Sequence, residues 1–240
     1  MTSNLSKNHI KLITSLNQKK FRVQHQLFVV EGVKGIQEFL NSSFELHLLF
    51  STEALFNAEM ITVTEKELQK ISTLKSANTA VAIFKIPNDN KLNSQGLTLA
   101  LDDVRDPGNL GTIIRLCDWF GIKNLVCSKA TVDCYNSKVV QATMGSLTRV
   151  HINYVDLETY INTAEKAVFG TFMDGHSIYK ETLPDSGIIV MGNEANGIST
   201  AIEKLVTKRL SIPRFGALKA TESLNVATAT AIVLSEFRRV

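Results

Sequence analysis

An α/β protein in two parts, with a parallel sheet in the second part, is the fold class this sequence predicts, and three observations predict it. Short apolar runs alternate with amphipathic helical stretches along the whole chain. The runs of the second half are apolar on both faces, the pattern of a sheet covered by helices on each side. Three glycine-and-polar segments, DPGNLGTIIR (106 to 115), IIVMGNEANGIS (188 to 199) and SIPRFGALKATESLNVATA (211 to 229), each follow or contain the end of such a run. In a parallel sheet those ends meet at one edge, where open α/β sheets build their sites.

Taken in order, a basic helix (about 5 to 18) leads to LFVVEG (27 to 32), a helix (about 33 to 41), LHLLF (46 to 50), a second helical stretch (about 64 to 72) and TAVAIFKI (79 to 86). Strand and helix alternate, as in a small α/β sandwich of roughly ninety residues. IPNDNKLNSQG (86 to 96) carries Pro87, three asparagines and Gly96 and reads as a linker. The expected division is therefore residues 1 to 88, a linker at 89 to 96, and residues 97 to 240. The second part runs LTLALDDV, LGTIIRLCDWFG, NLVCS, SKVVQATMG, RVHINYV, LETYINTAEK, AVFGTFM, GIIVMG, ISTAIEKLV, RLSIP and SLNVATATAIVLSEF. The last helix places Val226, Ala229, Val233 and Phe237 at helical spacing, with small residues between them, a face that packs either on the sheet or on a partner subunit.

Composition limits the classes open to this fold. A 44% hydrophobic, 20% charged chain of 240 residues is ordinary for a globular protein with a sizeable core. No apolar stretch approaches the roughly 18 residues of a membrane span, and the N-terminal stretch interrupts its apolar residues with Asn, Lys and Gln. The expectation is a cytoplasmic protein with no membrane partner. Cys117, Cys127 and Cys134 are odd in number and lack C-x-x-C spacing, so they read as buried thiols. The five histidines fall in no motif, and no metal is expected. Net charge is only +3, but no acid precedes Glu31, while Lys7, Lys11, Lys19, Lys20 and Arg22 are basic. Such a patch either attracts a polyanion or forms a solvated helix face.

The glycine segments match neither a Walker P-loop nor a G-x-G-x-x-G dinucleotide fingerprint. Singly, each has a plain structural reading. DPGNLG is a tight turn with Asn109 capping the following helix and Arg115 paired with Asp118. MGNEANGIS is a turn in which Gly192 and Gly197 can take φ > 0. Glu222, Ser223 and Asn225 begin the last helix, with Thr221 or Ser223 as its cap.

Together the segments form an ordered set: N-L-G-x-x-x-R, G-N-E-x-N-G-I, I-P, and E-S-L-N-V-A-x-A at the start of the last helix. This set resembles the SpoU (tRNA/rRNA methyltransferase) branch of the SPOUT superfamily, from about Leu97 to Phe237. IKLITSLNQKKFR and FVVEG also look like the small ribosomal-protein-like RNA-binding domain of many members. The resemblance implies a knotted (trefoil) parallel-sheet methyltransferase domain, against the usual absence of knots, preceded by that small α/β domain. It implies an S-adenosylmethionine-dependent enzyme that methylates ribose 2′-hydroxyls of rRNA or tRNA. It further implies a homodimer whose subunits complete one another's sites.

Carried across residue by residue, the resemblance assigns Asn109, Arg115, Glu194, Ser223 and Asn225 to catalysis. It assigns Thr171, Gly192, Ile212 and Leu224 to cofactor contacts, mostly through backbone. Methyl transfer is an in-line displacement from a sulfonium, so the protein must mainly align a ribose oxygen and exclude water. Arg115 is expected to hold the neighbouring phosphate and steady the developing oxyanion, since a guanidinium does not give up its proton to act as a base. In an RNA enzyme, Lys19, Lys20 and Arg22 become phosphate contacts.

Three departures from the family pattern stand out: Ala195 in place of a glycine, Arg214 in place of an apolar residue, and the longer stretch ALKAT between Gly216 and Glu222. That stretch either alters which RNA is accepted or lengthens a surface turn. Two other classes compete with the enzyme. A catalytically silent RNA-binding relative has no need of all five catalytic matches, and a doubly wound nucleotide-binding enzyme lacks its phosphate fingerprint.

Overall fold

A computed structural model of the 240-residue chain describes residues 5–87, 95–216 and 223–239. In chain order its elements are α1 (Lys7–Ser15), α2 (Lys19–His25), β1 (Leu27–Glu31), α3 (Val33–Leu40), β2 (Leu46–Ser51), β3 (Ile61–Thr62), α4 (Glu65–Leu68), β4 (Ala80–Lys85), β5 (Leu97–Leu101) and α5 (Pro107–Trp119). They continue as β6 (Asn124–Ser128), α6 (Ser137–Thr143), β7 (His151–Val155), α7 (Leu157–Thr163), β8 (Val168–Ser177), β9 (Gly187–Met191), α8 (Thr200–Glu203), β10 (Lys208–Ser211) and α9 (Val226–Phe237). Short 3-10 turns at Ser146–Thr148 and Ile178–Lys180 complete the set. They form two compact units, Met1–Asp89 with Asp133–Thr148, and Asn90–Val132 with Arg149–Val240.

The first unit is a four-stranded sheet of order β1-β4-β2-β3, with β4 antiparallel to both β1 and β2 and β3 parallel to β2. Alternation of side chains gives it two different faces. Leu27, Val29, Phe50, Val81 and Ile83 join Ile13, Leu16, Leu68 and Ile71 in an apolar layer. Phe28 and Phe84 face a ring cluster completed by Phe39, Phe44 and Tyr135. The Tyr135 ring lies 4.7 Å from that of Phe28, so the stretch Asp133–Thr148, expected in the second part, packs with the first. Burial pushes the Tyr135 hydroxyl well above its ordinary pKa.

The basic helix expected over 5 to 18 is shorter, and a second helix follows it. Ser6 caps α1 by accepting from the His9 amide at 3.1 Å, whereas Gln18 begins α2 without a side-chain cap. Arg22, expected to face RNA, is only 3% exposed. Its guanidinium donates to Asp133 Oδ2 at 2.9 and 2.6 Å and to the Leu16 carbonyl at the end of α1 at 2.7 Å. Arg22 is therefore a structural residue: it satisfies a helix terminus and a largely buried carboxylate, and its burial keeps it from a phosphate in solvent. Lys19 and Lys20 are exposed at the start of α2.

The second unit is a six-stranded sheet of order β10-β8-β9-β5-β6-β7, every pair parallel. β5 and β9 lie in its middle and are buried along their whole length, which is what two covered faces demand. On one face Ala100, Val126, Ile188 and Val190 pack with Leu157, Ile161 and Ile202 from α7 and α8. α9 packs against α5, and its Phe237 meets Phe169 of β8 edge to face, with ring centroids 5.2 Å apart. Val226, Val233 and Phe237 are buried within this chain, so that stripe of α9 is core. β10 follows β8 only to Gly170 and rejoins it at His176, so residues 171 to 175 bulge out of the ladder. Cys117, Cys127 and Cys134 are buried and form no disulfide, and burial raises the Cys117 thiol.

Candidate active site

Parallel pairing sets Leu101 beside Met191 and Ser211 beside Ser177, so the three glycine segments leave the second unit's sheet in the same direction. The first is shaped by its cap. Asp106, with Pro107 next to it at the first helical position, accepts from the Asn109 amide at 2.8 Å and is the N-cap of α5. The cap expected at Asn109 thus lies three residues earlier, and the Asn109 side chain is released for other contacts. It donates through Nδ2 to Glu194 Oε1 at 3.0 Å and accepts at Oδ1 from Asn225 Nδ2 at 2.8 Å.

Asn225 is also the N-cap of α9, its Oδ1 accepting from the Ala227 and Thr228 amides at 3.0 and 3.2 Å. Ser223 is therefore not the cap, and Thr221 lies outside the described residues. The capping bonds fix the oxygen end of the Asn225 amide, which fixes the Asn109 amide in turn. Donors point one way through the chain, from the α9 terminus to the Glu194 carboxylate. One residue from each of the three segments is joined by this chain.

The second segment is rigid by construction. A Cβ on Gly192 would sit 2.2 Å from the Gly197 carbonyl carbon, a distance no side chain permits. Asn193 and Gly197 exchange backbone hydrogen bonds of 2.9 and 3.0 Å, and Gly197 takes φ +68°. Asn193 Oδ1 accepts from the Ala195 and Asn196 amides at 2.9 and 3.1 Å, while its Nδ2 donates to the Asp103 carbonyl at 2.6 Å. Asp102, 7% exposed, accepts at 2.7 Å from the Ser199 amide. Asp102, Asp103 and Asn193 tie the first two segments together and were not singled out from sequence; the paired aspartates ending LTLALDD were the available signal.

Arg115 is exposed on α5. The partner that sequence spacing offered it, Asp118, is held instead by Arg149 Nε at 2.9 Å. Thr171, Gly192 and Ile212 are half-buried, while Ser223 and Leu224 are exposed. Thr171 lies on β8, and the other four and Arg115 lie on the segments that leave the strand ends or on α5; among the described residues none of the six makes a side-chain bond to the Glu194–Asn109–Asn225 chain. Glu222 and the stretch ALKAT fall outside the described residues. No group of three or more His, Cys, Asp or Glu placed to hold a metal occurs among the described residues, and no helix there is long and apolar enough to cross a membrane.

Thr171 lies on β8 and Gly192 and Ile212 directly after β9 and β10, and none of the three carries a charged side chain, a chemistry compatible with an adenosine. Comparison with known proteins points the same way. Residues 96–235 match the SpoU rRNA Methylase family, and residues 7–82 match the MRM3-like substrate binding domain. The 23S rRNA (guanosine(2553)-2′-O)-methyltransferase RlmP of Bacillus subtilis is 28% identical over 93% of each chain. A candidate RNA methyltransferase of the TrmH family from Porphyromonas gingivalis has 39% identity and a TM-score of 0.89 over 98% of both chains. The AdoMet-bound rRNA methyltransferase of Sinorhizobium meliloti has 30% identity and a TM-score of 0.87, covering 99% of this chain and 97% of that one. The chain belongs to the SpoU rRNA methylase family.

Proposed function

We propose that this protein transfers a methyl group from S-adenosylmethionine to a ribose 2′-hydroxyl of structured RNA, with ribosomal RNA as the substrate class. The observation that carries this reading is the hydrogen-bond chain Glu194–Asn109–Asn225, which draws three distant segments into one constellation at the first turn of α5, the helix that also carries the exposed Arg115. The full-length likeness to an enzyme named for 23S rRNA favours ribosomal over transfer RNA.

Thr171, Gly192, Ile212 and Leu224 would hold the cofactor, which supplies an electrophilic methyl group on a sulfonium. Arg115 holds the phosphate next to the target ribose and steadies charge developing on the 2′-oxygen, whose proton passes to a phosphate oxygen. Asn109, Ser223 and Asn225 orient this arrangement, and Glu194 fixes the Asn109 amide. Residues 1–88 serve as the RNA-binding domain, of ribosomal-protein-like type, with Lys19 and Lys20 as phosphate contacts. The C-terminal segment threads a trefoil knot, the active form is a homodimer, and the protein works in the cytoplasm.

The decisive experiment incubates the protein with S-adenosylmethionine and rRNA from cells lacking it, then maps modified nucleosides by mass spectrometry. One 2′-O-methyl mark should appear. Arg115→Ala should lower kcat on the order of 10²–10³ and leave the thermal shift caused by S-adenosylhomocysteine intact. RNA binding without transfer by the wild type would establish the catalytically silent relative instead; stabilisation by NAD or ATP alone would remove the reading.

A further inference from the structure

The turn between β5 and α5 carries a second arginine that the reaction described above leaves without a role. Arg105 is 70% exposed and yet held in place: its Nε donates to Asp103 Oδ1 at 2.7 Å and its Nη2 to Oδ2 at 2.8 Å. This fork occupies two of the five guanidinium donors and leaves three on the far edge. The anchor is itself constrained. Asp103 adopts φ +61°, the left-handed region that few side-chain-bearing residues enter. Its amide donates to Ser128 Oγ at 2.9 Å, and its carbonyl accepts from Asn193 Nδ2 at 2.6 Å. Asn193 precedes Glu194, and the hydrogen bond to Asp103 raises the Arg105 pKa above its ordinary value.

Stability does not account for this arrangement. An exposed ion pair adds little to stability, while ordering an arginine side chain and holding an aspartate at positive φ are both unfavourable. What the arrangement does supply is a guanidinium of fixed direction beside the proposed reaction centre.

We propose that Arg105 docks a backbone phosphate of the RNA substrate and that Asp103 is the positioning residue that aims it. The inference rests on the reading of the protein as an RNA methyltransferase. Arg105 lies just before α5, whereas Arg115 lies roughly 12 Å along that helix from its first residue. The two are set for separate phosphates of one strand: Arg115 at the reacting nucleotide, Arg105 at a neighbour that fixes the strand's register.

The test compares wild type, Arg105→Gln, Arg105→Lys and Asp103→Asn for binding to the rRNA fragment that the wild type methylates, over a range of salt concentrations. Arg105→Gln should weaken RNA binding about tenfold and make the slope of log affinity against log salt shallower by about one. Its affinity for S-adenosylhomocysteine should not change. Arg105→Lys keeps the charge and hence the slope, but recovers only part of the affinity, since an ammonium cannot form the fork. Asp103→Asn keeps the slope and weakens binding a few-fold.

A wild-type slope in Arg105→Gln overturns the assignment whether or not affinity falls, because a residue that only braces the turn leaves the count of neutralised phosphates alone. Wild-type protein without RNA affinity removes both this assignment and the reading it rests on, whereas wild-type binding with an unchanged Arg105→Gln slope removes this assignment alone.

Discussion

Arg22 in the first unit and Arg115 in the second put the same guanidinium to opposite uses. Arg22 stands in a run with no acid near it in sequence, yet it is buried against a carboxylate 111 positions away and a helix-end carbonyl. Arg115 has an acid three residues on, yet it stands exposed while Asp118 binds Arg149. Local charge therefore misjudged both. Arg115 was marked by its place in a motif and not by its neighbours, and it is exposed on α5.

Three variants sharpen this contrast. The largest effect belongs to Arg22→Ala, which leaves the Asp133 carboxylate without its buried partner and should cost about 3–5 kcal/mol, measured by urea unfolding of the full chain. The variant's salt slope for RNA binding should match wild type at temperatures where it stays folded. A stable variant with a shallower slope would return Arg22 to the RNA surface.

Asn225→Asp comes next. An aspartate caps a helix as well as asparagine does, within about 1 kcal/mol, but it cannot donate to Asn109. Turning the Asn109 amide over would only set its oxygen against Glu194. Methyl transfer should fall at least about tenfold, the equivalent of one charge-linked hydrogen bond, with unfolding almost unchanged. Full activity would mean that the chain of amides does not orient the reacting groups. The smallest effect is that of Lys19→Gln with Lys20→Gln: a few-fold loss of RNA affinity, with a salt slope shallower by up to about two. An unchanged filter-binding isotherm would take α2 out of the RNA surface.

The strands and the long helices were legible because apolar periodicity is a local signal. LFVVEG, LHLLF and TAVAIFKI became β1, β2 and β4, and the three segments do share one sheet edge. α2 escaped notice because Gln18 provides no capping signal and the basic run continues without a break, and β3 is only two residues long. The packing of Tyr135 among the phenylalanines of the first unit depends on contacts more than ninety positions apart, which no window of sequence reports. The displaced cap was different. Asp106 before Pro107 is a recognised start signal, and reading it would have freed Asn109 for the site from the outset.

Gly192 and its neighbours carry one more consequence. With no room for even a methyl group against Gly197, and with Asn193 closing the turn, this side of the crevice has its final form before any guest arrives. A guest must then match the backbone of this turn as it stands, because no side chain can be admitted at Gly192 to reshape it.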